Sequence, residues 1–144
     1  MFGLNYAACL TVILAVVFTS TACQHERRTK INIEGDKTPR FVLSGSGNVT
    51  VLRIFGPPDK YENGIVWEIV LENEGTGQTA DELGVIVYGQ MPKSYIQRQP
   101  KEGPPPSLAE GIDYRVFVGT VNAPTATRTF TIRNNKAIDT TSDQ

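Results

Sequence analysis

The side chains that could take part in catalysis are few and widely spaced. His25 is the only histidine in the chain of 144 residues, so it is the only imidazole that could serve a nucleophile as a general base. The carboxylate pairs Glu68 with Glu72 and Asp81 with Glu82 could hydrolyse a glycoside if a cleft held them about 5–10 Å apart. Such pairs more commonly lie on a solvated sheet face, and His25 lies in a polar stretch beside Cys23. We therefore predict that the chain is not an enzyme.

The chain also lacks the patterns that hold metals, cofactors or nucleic acids. Cys9 and Cys23 have no partners at zinc-binding spacing, and no calcium loop or phosphate-binding glycine motif is present. The 14 basic and 15 acidic residues give a formal charge of −1 and are interspersed. We expect no cofactor, no metal and no nucleic acid partner, and no strongly basic surface for anionic lipids.

Cys23 follows a segment with the character of an export signal. Residues 7–18 form an uncharged apolar run, typical of a signal-peptide core of about 7–15 residues rather than of a spanning helix of about 20. The small residues Thr21 and Ala22 come directly before Cys23, and this ending resembles a bacterial lipoprotein signal. The resemblance implies that residues 1–22 are removed, that Cys23 receives the lipid, and that Gln24 directs the protein to the outer membrane where the cell has one.

Two other outcomes remain open for this segment. Ordinary signal peptidase could cut near Ala22 and release a soluble exported protein, or the segment could stay as an anchor. Cysteine usage favours lipidation, because Cys23 would otherwise be a lone thiol in an oxidising compartment.

The elements of the mature chain are predicted to be strands. Runs rich in β-branched and aromatic residues alternate with Gly, Pro and Asn turn signals, at residues 41–43, 49–55, 65–71, 83–88, 114–118 and 127–133. In the run 65–71, Trp67, Ile69 and Leu71 should face the core. The pattern predicts an all-β antiparallel β-sandwich over 41–133, after a tether at 23–40 whose Ile31 and Ile33 could add an edge strand, and before a disordered tail at 134–144.

Residues 108–118 resemble the tyrosine corner of fibronectin type III and other immunoglobulin-like sandwiches. Leu108, Gly111 and Tyr114 have the spacing of that motif, in which the glycine permits a turn and the tyrosine hydroxyl bonds upstream backbone. By the same resemblance, residues 49–55 stand in place of the family's second strand and 67–71 of its third. This family mostly supplies adhesive or spacer modules, so the resemblance implies no chemistry.

The most distinctive surface candidate is the segment 88–100, with Tyr88, Met91, Tyr95 and Arg98 as contact residues. Tyrosine, methionine and arginine are enriched in recognition surfaces, and prolines reduce the entropy lost on binding. The alternative is that Tyr88 and Ile96 are core and that the prolines stiffen a crossover between the two sheets.

These observations predict a lipid-anchored, non-enzymatic protein of the cell envelope that acts as a binding or structural module. Its partners would be the membrane, through Cys23, and an envelope protein or a glycan. The alternative is a carbohydrate or cell-wall binding module, which would need Tyr61, Tyr88 or Tyr95 as exposed platforms; a hydrolase is a distant third.

Overall fold

The computed structural model describes residues 28–142, and it confirms the predicted fold class. Two antiparallel sheets pack face to face as a β-sandwich. The signal segment, Cys23 and His25 lie outside the described residues.

Besides one turn of 3₁₀ helix at Glu62–Gly64, the described part of the chain contains nine strands and one short α-helix. They are β1 (Lys30–Glu34), β2 (Arg40–Ser44), β3 (Val49–Phe55), β4 (Ile65–Leu71), α1 (Ala80–Leu83), β5 (Val85–Val87), β6 (Tyr95–Gln99), β7 (Asp113–Thr120), β8 (Ala126–Arg133) and β9 (Lys136–Asp139). The smaller sheet has the order β1-β2-β5 and the larger β6-β4-β3-β7-β8-β9. All pairings between these strands are antiparallel.

The core lies between the two sheets and is rich in aromatic rings. Phe41 of the small sheet meets Phe130 of the large sheet edge-on with ring centroids 5.8 Å apart, and Phe130 stacks on Tyr114 at 5.6 Å. Trp67 is fully buried and meets the ring of Tyr88 edge-on at 5.4 Å. Offset and edge-to-face arrangements are the favoured geometries of such pairs, so these rings join the sheets into one core.

The sandwich begins earlier than predicted. Strand β1 pairs along its whole length with β2, and Ile31 is only 1% exposed, so much of the predicted tether belongs to the domain. The Ile31 and Ile33 alternation was the correct signal for an edge strand, because side chains two apart on a strand point to the same face.

The sandwich also ends later than predicted. Residues 134–144 do not form a disordered tail throughout, since β9 pairs with β8 through a hairpin whose turn is Asn134 and Asn135. Both have positive φ, 51° and 59°, the conformation that a two-residue type I′ turn requires and that asparagine tolerates. The backbone N–H of Ala137 also donates to the carbonyl of Gly35 at 3.1 Å, which joins β9 to the small sheet.

Two further differences concern the order of the strands. The sequence predicts no strand between residues 88 and 114, yet β6 lies there and pairs with β4 at the edge of the large sheet. The resemblance put residues 49–55 in second place, but β2 is second and lies in the opposite sheet, so these residues form the third strand, beside β7.

The strand directions define two ends of the sandwich. The Arg28 end carries the start of β1 and the loops 45–48, 72–79 and 121–125. The proline end carries the loops 35–39, 56–64 and 100–112 and the turn 134–135.

Candidate binding surface

Two of the four residues predicted to form a contact surface are buried. Tyr95 is 4% exposed and its hydroxyl donates to the carbonyl of Val49 at 2.7 Å. Tyr88 is 6% exposed, packs on Trp67, and donates to the carbonyl of Pro106 at 2.8 Å. The placement of these two rings on an accessible surface is therefore wrong. Tyrosine combines an apolar ring with a polar tip, so it satisfies a core position as well as a surface one.

The other two residues are exposed. Met91, in the connection between β5 and β6, is 45% exposed, and Arg98 lies on the outer edge strand β6. Ile96 on the same strand is 38% exposed, so the alternative that put both Tyr88 and Ile96 in the core is correct for Tyr88 and wrong for Ile96. What remains of the predicted surface is thus a strip along the open edge of the large sheet, without its tyrosines.

Tyr114 has the geometry expected of a tyrosine corner. Its side chain is 1% exposed, and its hydroxyl accepts a hydrogen bond of 2.9 Å from the backbone N–H of Ala109. Leu108 is buried beside this turn, while Gly111 has φ of 72° and donates its N–H to the carbonyl of Ile132. The corner therefore fixes the end of loop 100–112 to the large sheet.

Tyr61 contacts the Tyr114 side chain of this corner. From the sequence, it was predicted only as a possible platform for a sugar ring. Burial, with a hydrogen bond to the Tyr114 side chain, raises the pKa of Tyr61 to about 12. Burial likewise raises the pKa of Tyr88, with added repulsion from the phenols of Tyr61 and Tyr114. Burial also raises the pKa of Tyr95, against the opposing effect of a backbone hydrogen bond. The spacing of the tyrosines gives no sign of this grouping, because Tyr61 and Tyr88 come from loops far apart in the chain.

These pKa values predict alkaline unfolding. The phenol pKa of Tyr61, Tyr88 and Tyr95 is higher in the folded state than the unfolded value near 10. Their contribution to stability is therefore fully present below about pH 10 and is lost as the pH rises toward 12. We expect a cooperative loss of near-ultraviolet circular dichroism in that window, together with delayed phenolate absorbance. Tyr61→Phe should make the fall shallower; a fold that persists while all the phenols titrate near pH 10 would contradict the prediction.

Loop 100–112 is held at several points despite its length. The side-chain amide of Gln97 donates to the carbonyls of Pro100 and Gly103, both at 2.8 Å, while its oxygen accepts from the indole N–H of Trp67 at 3.0 Å. The Tyr88 hydroxyl binds the carbonyl of Pro106. A loop with its backbone groups paired in this way loses little entropy when it binds a partner. The role of Gln97 could not be predicted from the sequence, because a polar residue on an inner sheet face breaks the apolar alternation.

A shallow cavity of about 280 Å³ opens beside this loop at the proline end. Its walls include Pro104, Pro105, the Tyr88 ring and the cationic Lys37. Pro104 is exposed, and Pro105 comes close to the backbone of Gly89, 3.4 Å from where a β-carbon would stand there. The cavity thus has a wall of proline and tyrosine rings with one cation beside it.

Three of the four carboxylates considered for catalysis have structural partners. Glu68 is paired with Arg53 on the neighbouring strand. The Asp81 carboxylate accepts from the backbone N–H of Gly45 at 2.9 Å, and Glu82 completes a capping box with Thr79 at the start of α1. Within residues 28–142, no group of three or more His, Cys, Asp or Glu side chains could hold a metal ion.

Comparison of the chain with known protein families, curated proteins and solved structures finds no match. Among the helices of residues 28–142, none has the length and apolar character needed to cross a membrane.

Proposed function

We propose that the chain is an exported lipoprotein of the cell envelope, anchored through Cys23, whose β-sandwich is a non-enzymatic binding or structural module. The observation that carries this proposal is the position of Cys23 between an apolar signal-like segment and a domain whose first strand starts at Lys30. A cysteine at the junction of a removable segment and a self-contained domain is where a lipid anchor is useful.

Kinship of the domain with fibronectin type III and immunoglobulin-like modules is part of this proposal. The strands β3, β7 and β8 are neighbours in one sheet, and β1, β2 and β5 form the other. This grouping matches the third, sixth and seventh strands of an immunoglobulin-like sandwich opposing its first, second and fifth, with the tyrosine corner at the start of β7. Such modules commonly bind or space other proteins through their loops.

The proline end is the surface that supports binding best, and a protein is the proposed partner. Its loop 100–112 is fixed by Gln97, Tyr88 and Tyr114, so its exposed prolines are presented in one arrangement. Preorganisation of this kind lowers the entropic cost of association. The alternative of a glycan-binding module needed exposed tyrosines as platforms for sugar rings. It is weakened because Tyr88 and Tyr95 are buried in the core.

Lipidation is tested by Cys23→Ser. The variant should lose all incorporation of a radiolabelled fatty acid and should accumulate as the uncleaved precursor, because the lipoprotein peptidase acts only on the modified cysteine. Cys9→Ser is the matched control, since Cys9 lies within the removed segment, and it should keep full labelling and processing. Continued labelling of the Cys23→Ser protein would show that the anchor is placed wrongly.

A further inference from the structure

We infer that the Arg28 end of the sandwich faces the phospholipid surface, with loop 121–125 in contact with the headgroups, and that the proline end points away from it. This inference rests on the proposed anchor at Cys23. The anchor alone does not determine which end of the domain is available to a partner, and the inferred orientation does.

The length of the link to the anchor limits the orientation. Five residue steps separate Cys23 from Arg28, so the link reaches at most about 18 Å at 3.3–3.6 Å per residue. At Arg28 the chain is already part of the domain, because a β-carbon on Gly45 would come within 2.4 Å of the Arg28 carbonyl oxygen. Strand β8 has 8 residues and alone spans about 26 Å. An inverted domain, with its proline end on the membrane, is therefore out of reach.

Loops 45–48 and 121–125 at the Arg28 end contain no charged residue of their own, and hydrogen bonds join them to each other. The Asn48 backbone N–H donates to the Asn122 side-chain oxygen at 2.8 Å, and the Asn122 amide donates back to the Asn48 side chain at 2.7 Å. The backbone N–H of Val121 donates to the carbonyl of Asn48 at 3.0 Å. Loop 121–125 can therefore approach lipid headgroups without stripping water from a charged side chain, whereas loop 45–48 has the exposed Asp81 carboxylate bonded to Gly45.

Val121 is the feature of this surface that points to lipid. It is 63% exposed, more than any other large apolar residue that the structure describes, and it is the first residue of the loop that joins β7 to β8. The hydrogen bonds of Asn48 and Asn122 fix the backbone of this loop, so the Val121 side chain is held in its exposed position. Near a lipid anchor, an exposed apolar side chain such as Val121 can insert at the boundary between headgroups and acyl chains.

Residues 72–82, on the other side of the Arg28 end, form an acidic rim. We expect the domain to tilt so that this acidic rim lies farther from the membrane than the rim that carries Val121. Residues 72–82 carry four exposed carboxylates, on Glu72, Glu74, Asp81 and Glu82, and no lysine or arginine occurs between residues 72 and 92. Asn48 lies between the two rims, since its side chain also donates to the carbonyl of Gly77 at 3.0 Å. Anionic headgroups repel the acidic rim, which leaves the Val121 rim as the lower one.

The test uses the full lipidated protein in vesicles of phosphatidylethanolamine and phosphatidylglycerol. The mature chain carries no cysteine besides Cys23, so Val121→Cys, Thr76→Cys and Glu102→Cys each give one site for a polarity-sensitive fluorophore. All three positions are exposed, on the lower rim, the acidic rim and the proline end respectively. Quenching by lipids that carry a nitroxide near the headgroup should be several-fold stronger at position 121 than at position 102, with position 76 between them.

The outcomes separate the two proposals. Protein that does not float with the vesicles overturns the anchor and the orientation together. Protein that floats while position 121 is quenched no more than position 102 overturns the orientation alone and leaves the anchor standing.

Discussion

Tyr114→Ala is expected to lower the free energy of unfolding by about 3–5 kcal/mol, because a large aromatic side chain that is 1% exposed is replaced by a cavity. The variant also loses the ring stacking on Phe130, a term of roughly 0.5–1.5 kcal/mol within that total. Urea denaturation followed by the fluorescence of Trp67, the single tryptophan, measures the change.

Tyr114→Phe separates the hydroxyl from the ring. It should cost about 1–3 kcal/mol, because the N–H of Ala109 loses its acceptor and Tyr61 loses its partner while the core stays filled. Thr127→Val is the control, since it removes an exposed hydroxyl from β8 and should change stability by less than about 0.5 kcal/mol. If Tyr114→Phe proved as mild as this control, the hydroxyl would have no part in fixing loop 100–112.

Trp67→Ala is the second substitution with a large expected effect, again about 3–5 kcal/mol. Trp67 is fully buried on β4, touches the Tyr88 ring and donates its indole N–H to Gln97. Its loss leaves a cavity and also frees the Gln97 oxygen beneath loop 100–112. Circular dichroism during thermal unfolding gives the readout, since the variant has no tryptophan.

The effect of Trp67→Ala should reach beyond the core. Loop 100–112 should become more sensitive to protease, because Gln97 carries two of the hydrogen bonds that hold it. Ile96→Ala, at a 38% exposed position on the adjacent strand, is the control and should leave both stability and protease resistance nearly unchanged. Equal behaviour of the two variants would show that Trp67 does not organise this loop.

Strands with strong apolar alternation could be predicted from the sequence alone. The predicted runs 49–55 and 65–71 coincide with β3 and β4, because both are central strands rich in β-branched residues and bounded by turn dipeptides. The tyrosine corner could also be anticipated, since its hydrogen bond is local and its residues lie within one short segment.

Strands β6 and β9 could not be predicted, for two physical reasons. Strand β9 is short and polar, and its pairing depends on an Asn134 and Asn135 turn that is recognised only when both residues are known to have positive φ. Strand β6 places Gln97 inside the sandwich, where Trp67 and the loop carbonyls satisfy it. A polar residue satisfied by distant partners carries no local signal.

The contact surface was the least predictable feature. Tyr88 and Tyr95 have the composition of a recognition segment, yet each uses its hydroxyl to bind a backbone carbonyl from a distant part of the chain. The separation of 46 residues between Tyr95 and Val49 shows why no inspection of the segment itself could reveal that role.

The two ends of the described chain meet at one place, and this has a consequence for engineering. Thr29, near the first described residue, and Thr141, near the last, both line one cavity of about 460 Å³ beside the first residues of β8. A short linker would therefore join the ends without crossing the core, and a circularly permuted chain opened at the Asn134 and Asn135 turn would keep every strand pairing except the closure of one hairpin. A fusion partner placed after residue 142 would emerge on the Arg28 side, whereas one inserted near Gly103 would emerge at the opposite pole.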